Sequence, residues 1–216
     1  MDDPKHVKEK LFKVIIVGDS LVGKTTFVHR YVSGKFDPGF KTTVGVDFAL
    51  KKIQRSEDDI VRLQLWDIAG QERVSSLTRV YYKDASACVI MFDITSRKTF
   101  NSVMNWKKDV DKKVTLSNGN PVPCLLLANK IDLPNPVVKE DEIKNLSHSQ
   151  DFLGWNKISV KDNTNIEHSM NFLVDEILAQ TTVVREMSYS EGRVDSDGRI
   201  VVQEQNNKSR LLSCCS

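Results

Sequence analysis

The segment Gly18-Asp19-Ser20-Leu21-Val22-Gly23-Lys24-Thr25 matches the spacing G-x-x-x-x-G-K-[ST]. Glycines at these positions let the backbone curl so that successive N–H groups face phosphate oxygens at the positive end of a following helix. Ser20, Leu21, Val22, Gly23, Lys24, Thr25 and Thr26 are therefore phosphate-binding candidates. Lys24 would bridge the β- and γ-phosphates, and the Thr25 hydroxyl would ligate Mg²⁺. A simple glycine turn between strand and helix does not explain why Lys and Thr follow. Leu21 is unusual where such loops favour small residues, and because the loop works through its backbone, the side chain is expected to point away.

A phosphate loop alone leaves adenylate kinases, ATPases and GTPases open, and the base reader decides among them. Asn129-Lys130-Ile131-Asp132 stands at the end of one apolar run and Ser159-Val160-Lys161 at the end of the next. A carboxylate at the base edge accepts hydrogen bonds from both N1–H and the exocyclic amine of guanine, whereas adenine offers an acceptor and no second donor. Asp132 selects guanine. Between these motifs, Leu65-Trp66-Asp67-Ile68-Ala69-Gly70-Gln71-Glu72-Arg73 packs a strand end, a glycine and a run of polar groups together.

These residues need a scaffold, and the pattern supplies one. Runs such as "LFKVIIVG", "ACVIMFDI" and "PCLLLANK" are strand-like and nearly continuously apolar, and they alternate with helical periods such as "TFNSVMNWKKDVDKKV" and "NIEHSMNFLVDEILAQ". Strands of that kind are covered by helices on both faces. The expected fold is α/β: a doubly wound, mostly parallel six-stranded sheet, with one antiparallel edge strand where "VGVDFALKKI" and "IVRLQLWDI" follow each other directly. Ligands gather at the carboxyl ends of such strands. The expected division is an N-terminal extension over 1–9, one domain over 10–180, and a flexible polar tail over 181–216, where sustained periodicity ends.

The charge balance of 31 Lys+Arg against 29 Asp+Glu points to neither nucleic acid nor a polybasic membrane reader. "MDDPKHVKEK" reads as neither a signal peptide nor a myristoylation site, so the protein is expected on the cytosolic side. No run approaches the roughly 20 apolar residues of a spanning helix. Cys88 and Cys124 lie within strand-like runs and read as buried core thiols. His6, His29, His148 and His168 lack ligand-like spacing.

In this order and spacing, GDSLVGKTT, TTVGVDF, WDIAGQE, NKID and SVK resemble a Ras-superfamily small GTPase of the Rab family, whose fold is the small G domain of the P-loop NTPases. The match covers roughly residues 10–180. "VDFALK", "VRLQLWDIAGQER", "YYKDASACVIMFD" and "NGNPVPCLLLANK" resemble the subgroup of lysosome-related organelles and melanosomes, with Ile68 in place of the commoner Thr as its clearest mark. Leu21 and Val74 depart from the common pattern, and Val160 stands where Ala is usual.

The resemblance implies that Asn129, Lys130 and Asp132 hold guanine, that Ser159, Val160 and Lys161 complete that pocket, and that Phe36 stacks on the base. Thr43 would be the second protein ligand of Mg²⁺, Asp67 would touch it through water, Gly70 would offer its N–H to the γ-phosphate, and Gln71 would orient the attacking water. Val46, Phe48, Trp66, Ile68 and Tyr81 would form an effector surface, although aromatics in such strands are equally readable as ordinary core. Implied partners are GTP-state effectors, an exchange factor, a GTPase-activating protein, and prenyl-binding escort and dissociation-inhibitor proteins. A monomer with no nucleic-acid partner is expected.

Adjacent Cys214 and Cys215 do not make a C-a-a-X box, because Ser213 stands where its cysteine would be. They resemble the double-cysteine endings of Rabs, which receive two geranylgeranyl chains. The charges of the tail from Arg185 onward cancel, so the second anchoring signal would be the second lipid. The implied location is the cytosolic face of intracellular membranes, of lysosome-related organelles in particular, with a soluble cytosolic pool. No arginine is assignable as a finger in cis, so hydrolysis is expected to be slow without an activating protein. A nucleotide-locked binding module is the alternative; a metabolic kinase would require an acceptor site and lid that the chain after Lys24 does not offer.

Overall fold

A computed structural model describes residues 8–37, 39, 43–71, 78–190, 193–194 and 200–201. In chain order the elements are β1 (Lys8–Val17), α1 (Lys24–Ser33), β2 (Val46–Gln54), β3 (Asp59–Ile68), α2 (Thr78–Tyr82), β4 (Ala87–Asp93), α3 (Arg97–Lys113), β5 (Cys124–Asn129), α4 (Glu140–Ser149), β6 (Gly154–Lys157), α5 (Ile166–Ser190), β7 (Arg193–Val194) and β8 (Ile200–Val201). The main sheet has six strands in the order β2-β3-β1-β4-β5-β6. Every neighbouring pair is parallel except the antiparallel β2–β3 edge, as the two successive strand-like runs imply.

The central strands explain their own composition. All of β4 and β5 is buried, and so is the Val14–Val17 end of β1, because helices flank the sheet. Burying each large side chain there contributes about 1.5–3 kcal/mol. On α3, Phe100, Val103, Trp106, Lys107 and Val110 are buried at the spacing of one helical face. The outlier, Lys107, turns its ammonium to both carboxylate oxygens of Asp111, each at 2.7 Å. Cys88 and Cys124 are free thiols buried in register on β4 and β5. The acidic start of α4 is a cap, with Glu142 accepting from the Lys139 N–H at 2.9 Å.

Contacts divide the chain into Met1–Ile177 and Leu178–Ser216. The first unit holds the six-stranded sheet. In the second, β7 and β8 form a small antiparallel pair. The apolar period of the last helix ends near Gln180, yet α5 continues to Ser190. Val74, Cys214 and Cys215 lie outside the described residues.

Candidate functional site

Parallel strands align their carboxyl ends, and the candidate residues sit there. The phosphate loop follows β1, Asp67 is the penultimate residue of β3, Asp93 closes β4, Asn129 closes β5, and Ser159 lies just beyond β6. Register fixes the alignment, with Ile16 opposite Asp67 and Asp93 opposite Asn129.

The loop's last turn depends on Gly23, whose φ of 98° lies in the left-handed region and whose Cβ, if it had one, would stand 2.6 Å from Asn129 Nδ2. Helix α1 starts at the next residue. Lys24 is buried there, its ammonium donating to the Gly18 carbonyl at 2.8 Å and the Asp19 carbonyl at 3.0 Å. Burial pushes its pKa down to about 8, against the pull of Asp67 and Asp19. A cation held in so little water is matched to an anionic ligand.

Thr25, Thr43 and Asp67 converge. The two threonine hydroxyl oxygens are 2.6 Å apart, Thr43 donates to Asp67 Oδ2 at 3.1 Å, and Thr25 donates to the same oxygen. The other carboxylate oxygen, Oδ1, is buried with no hydrogen-bond partner. Burial raises the Asp67 pKa, while the Thr25 hydroxyl and the Lys24 charge oppose the rise. An all-oxygen donor set with an unsatisfied buried carboxylate oxygen fits a hard divalent cation such as Mg²⁺.

Gly70 backs onto the phosphate loop so closely that a Cβ would stand 2.3 Å from Ser20 N. Gln71, the next residue, is exposed, and 72–77 lie outside the described residues.

On the base side, Gly23, Thr26, Phe36, Asn129, Lys130, Asp132, Val160 and Lys161 line one cleft of about 290 Å³. Ser159 is fully buried and donates its hydroxyl to Asp132 Oδ1 at 2.7 Å, so it aims the carboxylate rather than facing the cleft. Asn129, also buried, donates to the Val22 carbonyl at 2.9 Å and accepts from the Val160 N–H at 3.2 Å. It ties the phosphate loop to the base loop. An Asn129→Ala variant is expected to leave both backbone groups unsatisfied and to lose about 3 kcal/mol in denaturant unfolding. A loss below about 1 kcal/mol would mean that solvent replaces the side chain.

Two contacts escape reading from motif spacing. Trp106 on α3 donates its indole N–H to Asp19 Oδ1 at 2.8 Å, bracing the phosphate loop across 87 positions of sequence. Asp93 Oδ2 holds the Lys130 ammonium at 2.7 Å. The only sequence signal for either was position, Asp93 at a strand's carboxyl end and Trp106 on the buried stripe of a helix.

Of the proposed effector residues, Phe48 is 61% exposed, while Val46, Trp66 and Tyr81 are half-buried. Phe48 and Trp66 are cross-strand partners with ring centroids 6.2 Å apart, and the Lys13 ammonium lies 3.8 Å over the Trp66 ring. Ile68 is a correction: it has no exposed surface and packs in the core cluster with Tyr82 and Ile90, so it cannot belong to a contact surface.

Residues 13–179 match the Ras family. The Ras-related protein Rab-7L1 of Homo sapiens is 55% identical over 175 residues, covering 81% of this chain and 86% of that protein. The Ras-related protein Rab-32 of Sus scrofa is 44% identical over 216 residues, 97% of this chain and 90% of that protein. The Ras-related protein Rab-32B of Dictyostelium discoideum is 44% identical over 176 residues, 82% of this chain and 68% of that protein.

Proposed function

The chain belongs to the Ras family as a Rab GTPase that hydrolyses GTP, and from that premise we propose that it works as a membrane-recruited switch, with hydrolysis as its slow reset. The observation that carries the reading is the single cleft in which phosphate-loop residues Gly23 and Thr26 face Asn129, Lys130, Asp132 and Lys161. Asp132, aimed by Ser159, reads guanine; Phe36 and the Lys130 stem cover the base; Lys24 and the loop N–H groups hold the phosphates. Thr25 and Thr43 would hold Mg²⁺ directly and Asp67 through water. When bound, that ion neutralises charge on the β- and γ-phosphate oxygens. Gly70 N–H and Thr43 report the γ-phosphate, and Gln71 orients the attacking water.

Phe48, Trp66 and Val46 at the β2–β3 edge, with Tyr81 on α2, form the surface read by GTP-state effectors, since Phe48 leaves a large aromatic ring exposed beside Trp66 and exposed apolar surface marks a partner site. An exchange factor, an activating protein and prenyl-binding escort and dissociation-inhibitor proteins complete the cycle. Among the described residues no helix is long and apolar enough to cross a membrane. Lipids on Cys214 and Cys215 would supply the anchor, and the motif resemblance of "VDFALK" and "VRLQLWDIAGQER" to the lysosome-related-organelle subgroup supports a place on those membranes in vesicle trafficking.

Single-turnover hydrolysis tests the cycle. Alone, the GTP-loaded protein is expected to turn over very slowly; a Rab-directed activating protein is expected to accelerate it by about 10³-fold or more. Normal GTP binding with no acceleration would sink the cycling switch and leave the nucleotide-locked module.

A further inference from the structure

Leu21 has a φ of 67°, in the left-handed region where a side chain crowds the following carbonyl. Asn and Asp tolerate that region because their short polar side chains bond locally; leucine has no such compensation. The other described non-glycine residues with positive φ are Asp84, Lys130, Asn135, Asp151, Asn163 and Asn165. The exceptions to the Asn/Asp rule are thus Leu21 and Lys130, and both line the same cleft. Strain confined to a ligand site is the kind that function maintains.

Core packing does not hold Leu21 in place. Its side chain is 81% exposed, while its neighbour Val22 is fully buried. Two other large apolar side chains, Phe36, 36% exposed, and Leu133, 41% exposed, line the cleft with it, among polar and charged groups. Leu21 comes from the phosphate loop, Phe36 from the segment after α1, and Leu133 from the residue beyond the base-reading Asp132. Apolar side chains therefore come to the cleft from three separate segments, and polar groups read the ligand within it.

We propose that Leu21 is a lid residue of the nucleotide cleft, which with Phe36 and Leu133 covers the bound guanosine nucleotide and slows its release. The proposal rests on the guanine-nucleotide reading of the cleft. A nucleotide in the cleft takes the Leu21 side chain out of water, and that apolar contact must be undone before the ligand leaves. The contact makes no use of the metal, so its effect survives chelation.

The test follows release of radiolabelled GDP from the full-length protein into excess unlabelled GDP, with Mg²⁺ and again with a chelator. Leu21→Ala and Leu21→Gly are both expected to release GDP about 3- to 10-fold faster than the parent. Leu21→Met, which restores apolar bulk, is expected to stay within about 2-fold of it. The ratios are expected to persist under chelation. Parent-like release from the Ala and Gly variants overturns the lid, as does acceleration by Gly alone, which would assign the effect to backbone freedom. Ratios that vanish on chelation overturn it too, by routing the effect through the metal. Failure of the parent chain to take up GDP at all would overturn the cleft reading together with the lid, and it shows before any variant is compared.

Discussion

An Asp132→Asn variant is expected to lose GTP affinity by roughly 10³-fold or more and to accept xanthosine triphosphate in its place. Ser159 donates to one oxygen of the Asp132 carboxylate at 2.7 Å, which fixes the group at the edge of the cleft. The remaining acceptor capacity meets guanine's N1–H and exocyclic amine, two donors against an acceptor-only group. An amide replaces part of that capacity with an N–H₂ donor, so a donor then faces a donor at the base edge. Xanthine carries a carbonyl where guanine carries the amine, and the amide's donor finds its acceptor there. A site built to bond a polar group rejects the mismatched ligand far more strongly than a pocket rejects a missing methylene. Competition between GTP and xanthosine triphosphate at equilibrium measures the exchange. A variant that still prefers GTP would remove Asp132 from base recognition.

Much of this site was legible because spacing and chemistry coincide. Lys and Thr directly after a glycine mark a candidate phosphate loop where a plain turn would need neither, and a carboxylate two residues after Lys130 marks a candidate base reader; the structure places both along one cleft. The continuous apolar runs became β1, β4 and β5 because strands covered on both faces need no polar alternation. Ile68 was not legible for the same reason inverted. At the end of β3, Asp67, Ile68 and Ala69 are buried in succession, so alternation no longer tells which face a residue takes. The Trp106 bond to Asp19 was hidden because an amphipathic stripe reports that a tryptophan is buried, not what its N–H meets. Nor does any pattern report φ, so the strain at Leu21 waited for the backbone. Nor does apolar periodicity mark the end of α5, since the helix runs past Gln180 to Ser190.

Gly70→Ala is expected to lower single-turnover GTP hydrolysis by about 100-fold while leaving GDP affinity within about tenfold of the parent. The new methyl carbon would stand 2.3 Å from Ser20 N, 2.6 Å from the Asp19 carbonyl carbon and 2.8 Å from Ser20 Cα. All are backbone atoms, so no side chain can swing aside, and one segment must retreat by roughly an ångström to reach ordinary contact. Bracing decides which. The phosphate loop is held by Trp106 at Asp19 and by Asn129 at Val22, and both holding side chains are themselves buried. Gly70 and the exposed Gln71 have no comparable anchor ahead of α2 among the described residues, so they yield. Their retreat withdraws the proposed γ-phosphate donor and the water-orienting amide together, and a displacement of that size at reacting groups costs about two orders of magnitude. GDP has no γ-phosphate and loses neither contact. Hydrolysis at the parent rate would show that the close approach has no bearing on the chemistry. Equal losses of GDP and GTP affinity would show instead that the phosphate loop gave way, against the bracing by Trp106 and Asn129.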